Sequence, residues 1–279
     1  MRHFGWIVAA PVAALMLAAC GDEEAPASAS PSDPPSSADA GQLYTGIFTV
    51  LEGQGHGPQL CSAVADSFPP QCGGPDVADW NWDEAPDATS ADGVTWGSYS
   101  VTGTWDGTAL TLTEPPLAGA ATSPVVPDDA LPDFSPPCEP PAGGWAVVDA
   151  ATATVQGQAA IGAYTETQPD WAGTWVDESI EPAVMTVLFT GDLERHEAEL
   201  RQVWGGPLCV GAAERSMAEL TTIQEELAGS VPNLNRVGPE YTANVVELHV
   251  FIDDGLQEQL DEQYGEGVVR VSASLTPVE

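Results

Sequence analysis

Along the 279 residues the spacing of apolar and polar positions changes character several times, and each change predicts a different kind of structure. Behind a short basic head, Met1-Arg2-His3, the stretch Phe4 to Leu17 is almost uninterruptedly apolar, with Pro11 inside it. Such a run is too short for a permanent membrane span but has the length of a secretory h-region. From Gly21 to Gln42 the chain is mostly Asp, Glu, Ala, Ser and Pro. With almost no large apolar side chain to offset the entropy of ordering, residues 20–42 are expected to form a disordered acidic tether.

Alternation then sets in. Leu43 to Leu51 (LYTGIFTVL) is rich in β-formers, and GVTWGSYSVTG and TWDGTALTLT repeat a strand signature in which Tyr99 and Val101 alternate with polar residues. Trp105-Asp106-Gly107-Thr108 is a turn signal ahead of Leu110 and Leu112. A small antiparallel β domain over 43–117 is predicted, with a barrel as one way to close it. Trp80, Trp82, Trp96 and Trp105 are expected to supply its core and loop packing. Residues 118–178 are proline-rich and read as a connector, with a helix over about 150–165 capped by Asp149.

Residues 179–279 carry the strongest periodicity. VMTVLF (184–189) is apolar on both faces, as a central strand requires. Asp192 opens a helix in which Leu193, Leu200 and Trp204 share a face and Glu197 precedes Arg201 by one turn. Ser216 and Glu219 form a capping box ahead of a stripe of Met217, Leu220, Ile223 and Leu227. NVVELHVFI sets Val246, Leu248, Val250 and Ile252 on one face and Glu247 and His249 on the other. A third helix bears Leu256, Leu260 and Tyr264, and in VVRVSASL the residues Val269, Val271, Ala273 and Leu275 point inward. The class is therefore α+β: the small β domain followed by an α/β sandwich of order β-α-β-α-β-α-β, helices covering one face of an open sheet.

Charge and cysteines place the chain. Removing residues 1–19 takes away Arg2, leaving 42 acidic residues against five arginines and no lysine, a net of about −37. All five (Arg195, Arg201, Arg215, Arg236, Arg270) lie beyond residue 194. Such a field repels nucleic acid and anionic headgroups and attracts cations and basic proteins; its simplest reading is solubility in salty surroundings. Leu17-Ala18-Ala19-Cys20, where the apolar run turns abruptly acidic, resembles a bacterial lipobox. The resemblance implies lipidation of Cys20, which becomes the new N-terminus after removal of the signal peptide 1–19. Each buried methylene contributes about 0.8 kcal/mol to anchoring, and two or more acyl chains make it stable. The expected location is the cell membrane, lipid-anchored and facing out of the cytoplasm. Cys61, Cys72, Cys138 and Cys209 remain, an even number in an exported chain, so two disulfides are expected. Three connectivities are open; nearness favours Cys61–Cys72, which leaves Cys138–Cys209. No Cys/His spacing suits zinc.

Signals of chemistry are few. His56 lies in the glycine-flanked GQGHGPQLC and is read as a hydrogen-bonding turn residue, His196 as a helix boundary residue, and His249 as a surface residue beside Glu247. GxSxG, HExxH and P-loop motifs are absent, and nothing nominates a catalytic serine. Asp79-Trp80-Asn81-Trp82-Asp83 has D-x-N-x-D spacing, but Glu84 and Ser90 stand where an EF-hand needs glycine and a bidentate glutamate. No catalytic, cofactor or metal residue is assigned.

VLEGQGHGPQLC with SFPPQCGGP, PPCEPPAGGWAVVD, FTGDLERHEAELRQVWGGPLCV and LDEQYGEGVVRVSASLTPV together resemble a family of exported proteins and lipoproteins of high-G+C Gram-positive bacteria, from about residue 45 onward. That resemblance implies a lineage and no activity. WAGTWVDES, VMTVLFTG, SMAELTTIQEEL and NVVELHVFID are similar in order to pro-regions of α-lytic-type serine proteases, which bind and inhibit their own protease. The expectation is a non-enzymatic, anchored lipoprotein with a recognition or envelope-support role and a protein or glycan partner. Protease binding, or glycan binding or an unrecognised hydrolase, are the alternatives. Cys20→Ala should leave the chain unprocessed or shed from the membrane, checked by fractionation and mass. Wild-type size and membrane retention would contradict the anchor.

Overall fold

Apolar alternation bends the first part of the chain into a closed barrel. The computed structural model describes residues 41–53, 55–119 and 132–278; the expected signal peptide 1–19, Cys20, nearly all of the expected tether 20–42 and residues 120–131 lie outside the described residues. Strands β1 (Leu43–Gly53), β2 (His56–Cys61), β3 (Asp76–Ala78), β4 (Val94–Trp105) and β5 (Ala109–Leu112) pair in the ring β1-β2-β3-β5-β4-β1. All its pairs are antiparallel except β3 with β5. This is the connectivity of OB-type barrels, an architecture that hosts many functions and decides none. Tyr44, Phe48, Val50, Leu60, Tyr99, Val101, Trp105 and Leu110 fill it. The β4–β5 turn is held by the Asp106 carboxylate, which accepts the N–H groups of Thr108 and Ala109 at 2.8 Å.

The remaining elements are α1 (Val155–Thr165), β6 (Trp171–Asp177), β7 (Val184–Phe189), α2 (Leu193–Val203), β8 (Leu208–Ala212), α3 (Met217–Ser230), β9 (Leu234–Glu240), β10 (Val245–Val250), α4 (Leu256–Tyr264) and β11 (Val269–Ala273). They correct the expected single sheet of order β-α-β-α-β-α-β. The chain runs α-β-β-α-β twice and makes two three-stranded sheets, β6-β7-β8 and β9-β10-β11. Two strands escaped the periodicity. β6 lies inside the stretch 118–178 read as connector, and β9 (LNRVGPE) contains a proline and does not alternate. Both are edge strands, where a missing ladder donor is tolerated. Asp149 does not cap α1. Its carboxylate closes a turn on Ala151 N–H at 2.9 Å, and Thr154 caps the helix through Gly157 N–H at 3.2 Å.

The two halves repeat one another residue for residue along their strands. A shift of 61 positions turns the parallel pairs Met185–Leu208 through Phe189–Ala212 into Val246–Val269 through Val250–Ala273. The antiparallel pairs correspond with the edge strand shifted by 63 positions and its partner by 61, Gly173–Leu188 with Arg236–His249 and Trp175–Thr186 with Gly238–Glu247. Each edge strand carries its irregularity at the same place, between Trp171 and Gly173 and between Leu234 and Arg236. One face of each sheet is buried under helices: Met185, Val187, Phe189 and Leu208 with Ile161, Leu200 and Trp204 in the first, and Val246, Leu248, Val250 and Val269 with Leu220, Leu227 and Leu260 in the second. The capping box at α3 is present, Ser216 N–H to Glu219 Oε2 at 2.7 Å and Glu219 N–H to Ser216 Oγ at 3.3 Å.

The second half is fastened to the barrel. Phe251 stacks between Phe48 and Trp105, with ring centroids at 6.0 and 6.1 Å, and residues 276–277 pair with Tyr44 and Thr45. Residues Ser37–Glu279 accordingly group as one compact unit. Leu248 is fully buried in the second core. Leu248→Asp would place an unpaired carboxylate there, at a cost on the order of several kcal/mol. Urea unfolding should show the midpoint collapsing for this variant and almost no change for His249→Ala.

Candidate functional site

A sheet with one face against helices has a second face, and the two halves treat that face differently. In the first half it presents Gly173, Leu188 and Gly211 in one cross-strand row and Trp175, Thr186 and Cys209 in the next. Leu188, Trp175, Thr186 and Cys209 are all buried. The cover is the chain itself. Residues 134–138 cross this face: the Trp175 indole N–H donates to the Phe134 carbonyl at 2.8 Å, Cys138 is disulfide-bonded to Cys209, and a Cβ on Gly211 would meet Pro137 at 3.1 Å. Tyr241 closes the other end, leaving no room for a Cβ on Gly173 beyond 3.0 Å.

The corresponding rows of the second half are Arg236, His249 and Ser272, then Gly238, Glu247 and Arg270. Every side chain in them is polar apart from the glycine. Ser272, Arg270 and Arg236 are exposed, the last at 71% of its side chain. The charge placement is uneven. Four of the five described arginines stand within 4 Å of a carboxylate: Arg195 by Asp170 and Asp192, Arg201 by Glu197, Arg215 by Glu214, and Arg236 by Glu247. Among the described residues Arg270 has no side-chain hydrogen bond or ion pair. In a chain of net charge −36 a guanidinium without a carboxylate is unusual company for the acid-rich remainder.

The hydrogen bonds across the first row have a direction. Arg236 Nη2 lies 2.8 Å from His249 Nε2, and a guanidinium only donates, so Nε2 is the acceptor. The single proton of the neutral ring therefore sits on Nδ1 and is donated to Ser272 Oγ at 2.6 Å. A serine activated for attack must give its proton to the imidazole; Ser272 instead receives one. The row presents donors, the Ser272 hydroxyl and the Arg236 guanidinium, with Arg270 in the row beside it, and is not built to generate a nucleophile. Burial and the Arg236 guanidinium hold the His249 imidazole below its ordinary range, against the opposing pull of Glu247.

The other expected residues are occupied structurally. His196, expected at a helix boundary, is fully buried and stacks on Phe189 at 3.6 Å with the rings 4° from parallel. Its Nδ1 accepts the Tyr164 hydroxyl at 2.8 Å and its Nε2–H donates to Asp170 Oδ2 at 2.8 Å. Arg195 Nη2 also approaches Nε2, at 3.0 Å, but the shorter, charge-assisted contact with the carboxylate fixes the proton there. Burial, the largest single influence, would raise the Asp170 carboxyl; the His196 hydrogen bond, a backbone hydrogen bond and the charges of His196 and Arg195 together outweigh it and hold the group below its usual range. The α2 register set by Leu200 and Leu260 puts Leu256 at this position in the second half, so the fold itself needs no polar group there. His56 donates through Nδ1 to the Gly57 carbonyl at 2.8 Å. Cys61 is bonded to Cys72.

The tryptophans and the calcium-like spacing are also spent within the barrel. Trp80 and Trp82 set their edges on Tyr99, centroids 5.1 and 6.2 Å away, and the Trp82 indole N–H donates to Glu52. The Asn81 carbonyl oxygen accepts Asp83 N–H and its amide donates to Glu84. Among the described residues no cluster of three or more His, Cys, Asp or Glu side chains is placed to hold a metal ion. A cleft of about 460 Å³ between barrel and second half is lined by Gln59, Asp76, Thr108, Asn233 and Asn235. Its amides are already bonded, Gln59 to Asp76 at 3.0 Å, Asn235 to Ser274 at 3.4 Å and Asn233 to the Gly107 carbonyl.

The edge of β11 is closed as well. The Gln257 amide reaches from α4 to accept Val271 N–H at 2.8 Å and donate to the Val269 carbonyl at 2.9 Å, filling the place of a further strand. The chain matches no protein-family model and no curated protein, so the site is read from its geometry. Alternation along the sequence sets His249 and Arg270 on the outward face; Arg236 and Ser272 join them as one row only through the register of β9 and of the parallel pair. Arg236→Ala removes both a neighbouring positive charge and a donor to Nε2. The His249 titration midpoint, followed by NMR of the imidazole protons, should start below that of a free histidine and rise in the variant. An unchanged midpoint would separate the two residues.

Proposed function

We propose that the protein is an exported, lipid-anchored recognition protein without enzymatic activity, its barrel and paired α/β halves carried from Cys20 on the tether 20–42. In this reading the outward face of β9, β10 and β11 is the contact surface, facing a partner in the cell envelope. The lipobox, the acidic tether and the disulfide-bonded body support export and anchoring. The observation that carries recognition is the difference between the two sheet faces: one buried under the chain's own segment, the other polar, exposed and carrying an arginine that forms no ion pair among the described residues. The direction of the Arg236–His249–Ser272 hydrogen bonds supports binding over hydrolysis. The closed β11 edge favours a contact through the face and speaks against strand addition there, the mode a protease-binding relative would use.

A photo-crosslinking amino acid at Ser272 tests this in the native envelope, with the same group at Val155, an exposed helix residue far along the chain, as the reference. A discrete adduct from position 272 that is absent from position 155 is expected. Identical or empty patterns from both positions would overturn the reading.

A further inference from the structure

The first half shows what a covered face of this sheet looks like, and that cover can be transposed. The cover is an irregular, bent segment, Phe134 to Cys138, touching three points: the indole of Trp175, the backbone over Gly211, and the sulfur of Cys209. By register these points become Gly238, Ser272 and Arg270 in the second half. Two of the changes concern attachment. Where the first face has a cysteine that bonds its cover covalently, the second has a guanidinium engaged in no ion pair or hydrogen bond among the described residues, the group best suited to hold a carboxylate by paired hydrogen bonds. Where the first has a glycine beneath Pro137, the second has a hydroxyl whose proton is free to donate, because its oxygen already accepts from His249.

Resting on the recognition reading above, we propose that the second face binds a short acidic segment of a partner protein. The segment lies across β9, β10 and β11 as residues 134–138 lie across the first sheet, with a carboxylate on Arg270 in the place of the disulfide. The charge of the whole chain, −36, opposes an acidic ligand at a distance, but that repulsion is screened beyond about 8 Å at physiological ionic strength. At contact the ligand meets Arg236, Arg270 and Glu247, a local excess of one positive charge with His249 neutral. Salt should therefore weaken the long-range repulsion before it weakens the contact, and affinity should fall little between low and physiological salt.

The chain's own cover supplies the probe. Residues 132–140 read PDFSPPCEP, and a fluorescent peptide of this sequence with aspartate in place of Cys138 carries the segment with a carboxylate where the sulfur stood. Anisotropy and amide-shift mapping on the folded chain should show saturable binding that moves the signals of Arg236, Glu247, His249, Arg270 and Ser272. Arg270→Glu should weaken it at least tenfold, Arg195→Glu should not, and a peptide with Asn and Gln for every acid should lose it. Equal binding by the amide peptide, equal binding by Arg270→Glu, or no binding would overturn the proposal. An acidic polysaccharide that displaces the shifts while the peptide does not would overturn it too. The recognition reading fails separately: a Ser272 crosslink to a non-acidic envelope component keeps recognition and discards the acidic peptide, whereas peptide binding with an empty crosslink pattern does the reverse.

Discussion

Strand register is the constraint on which the rest of the second half depends. Side chains alternate across a strand, so the pairing of Val246 with Val269 decides at once that Leu248 and Val271 meet the helices and that His249 and Ser272 meet solvent. A slip by one residue would bury His249, Arg270 and Glu247 and expose the core, and no local rearrangement would compensate. The same register in the first half, Met185 with Leu208, puts Leu188 and Cys209 outward, where the chain must then cover them. The strap 134–138 and its disulfide answer that requirement, and the absence of one from the second sheet among the described residues follows from its polar side chains.

Duplication lets each half serve as the control for the other. A buried histidine in a hydrogen-bonded cluster invites a catalytic reading, yet Leu256 fills the matching position with no loss of architecture, and His196 is sealed from solvent. A half-buried histidine beside a serine invites the same reading, yet Arg236 fixes its tautomer the wrong way round for base catalysis. What differs between the halves and remains accessible is a patch of donors centred on Arg270. On the proposed reading this patch acts by contact, through short-range charge and shape within a molecule whose distant field is strongly negative.

Much of this was legible in residue spacing. The strand 245–250, the alternation in VVRVSASL and the Ser216–Glu219 capping box stand out because hydrophobic period and local chemistry agree. The turn at Asp106 and the apolar faces of β1 and β4 were equally plain. The repeat was hidden because the positions that define it differ in chemistry: Leu188 against His249, Cys209 against Arg270, Gly211 against Ser272. β9 was invisible because an edge strand tolerates Pro239 and Gly238, and β6 because it is bounded by prolines and its neighbours are irregular. His196 was misread because it is the one inward polar residue of a highly charged helix, LERHEAELRQV, and its partners Tyr164 and Asp170 come from other elements. The candidate face needed three strands to be aligned before Arg236, His249 and Ser272 became one row.

The central claim is that the outward face of the second sheet is uncovered by the described residues and holds an arginine that forms no ion pair among them. Arginine modification of the intact folded chain by phenylglyoxal, mapped residue by residue by mass spectrometry, measures this directly. Arg201 and Arg215, each about 30% exposed and paired with an acid, provide internal references. The account predicts that Arg270 reacts several-fold faster than either. Protection of Arg270 to the level of Arg201 and Arg215 would mean that the face is already covered by the chain's own residues, and the contact surface would have to be sought elsewhere.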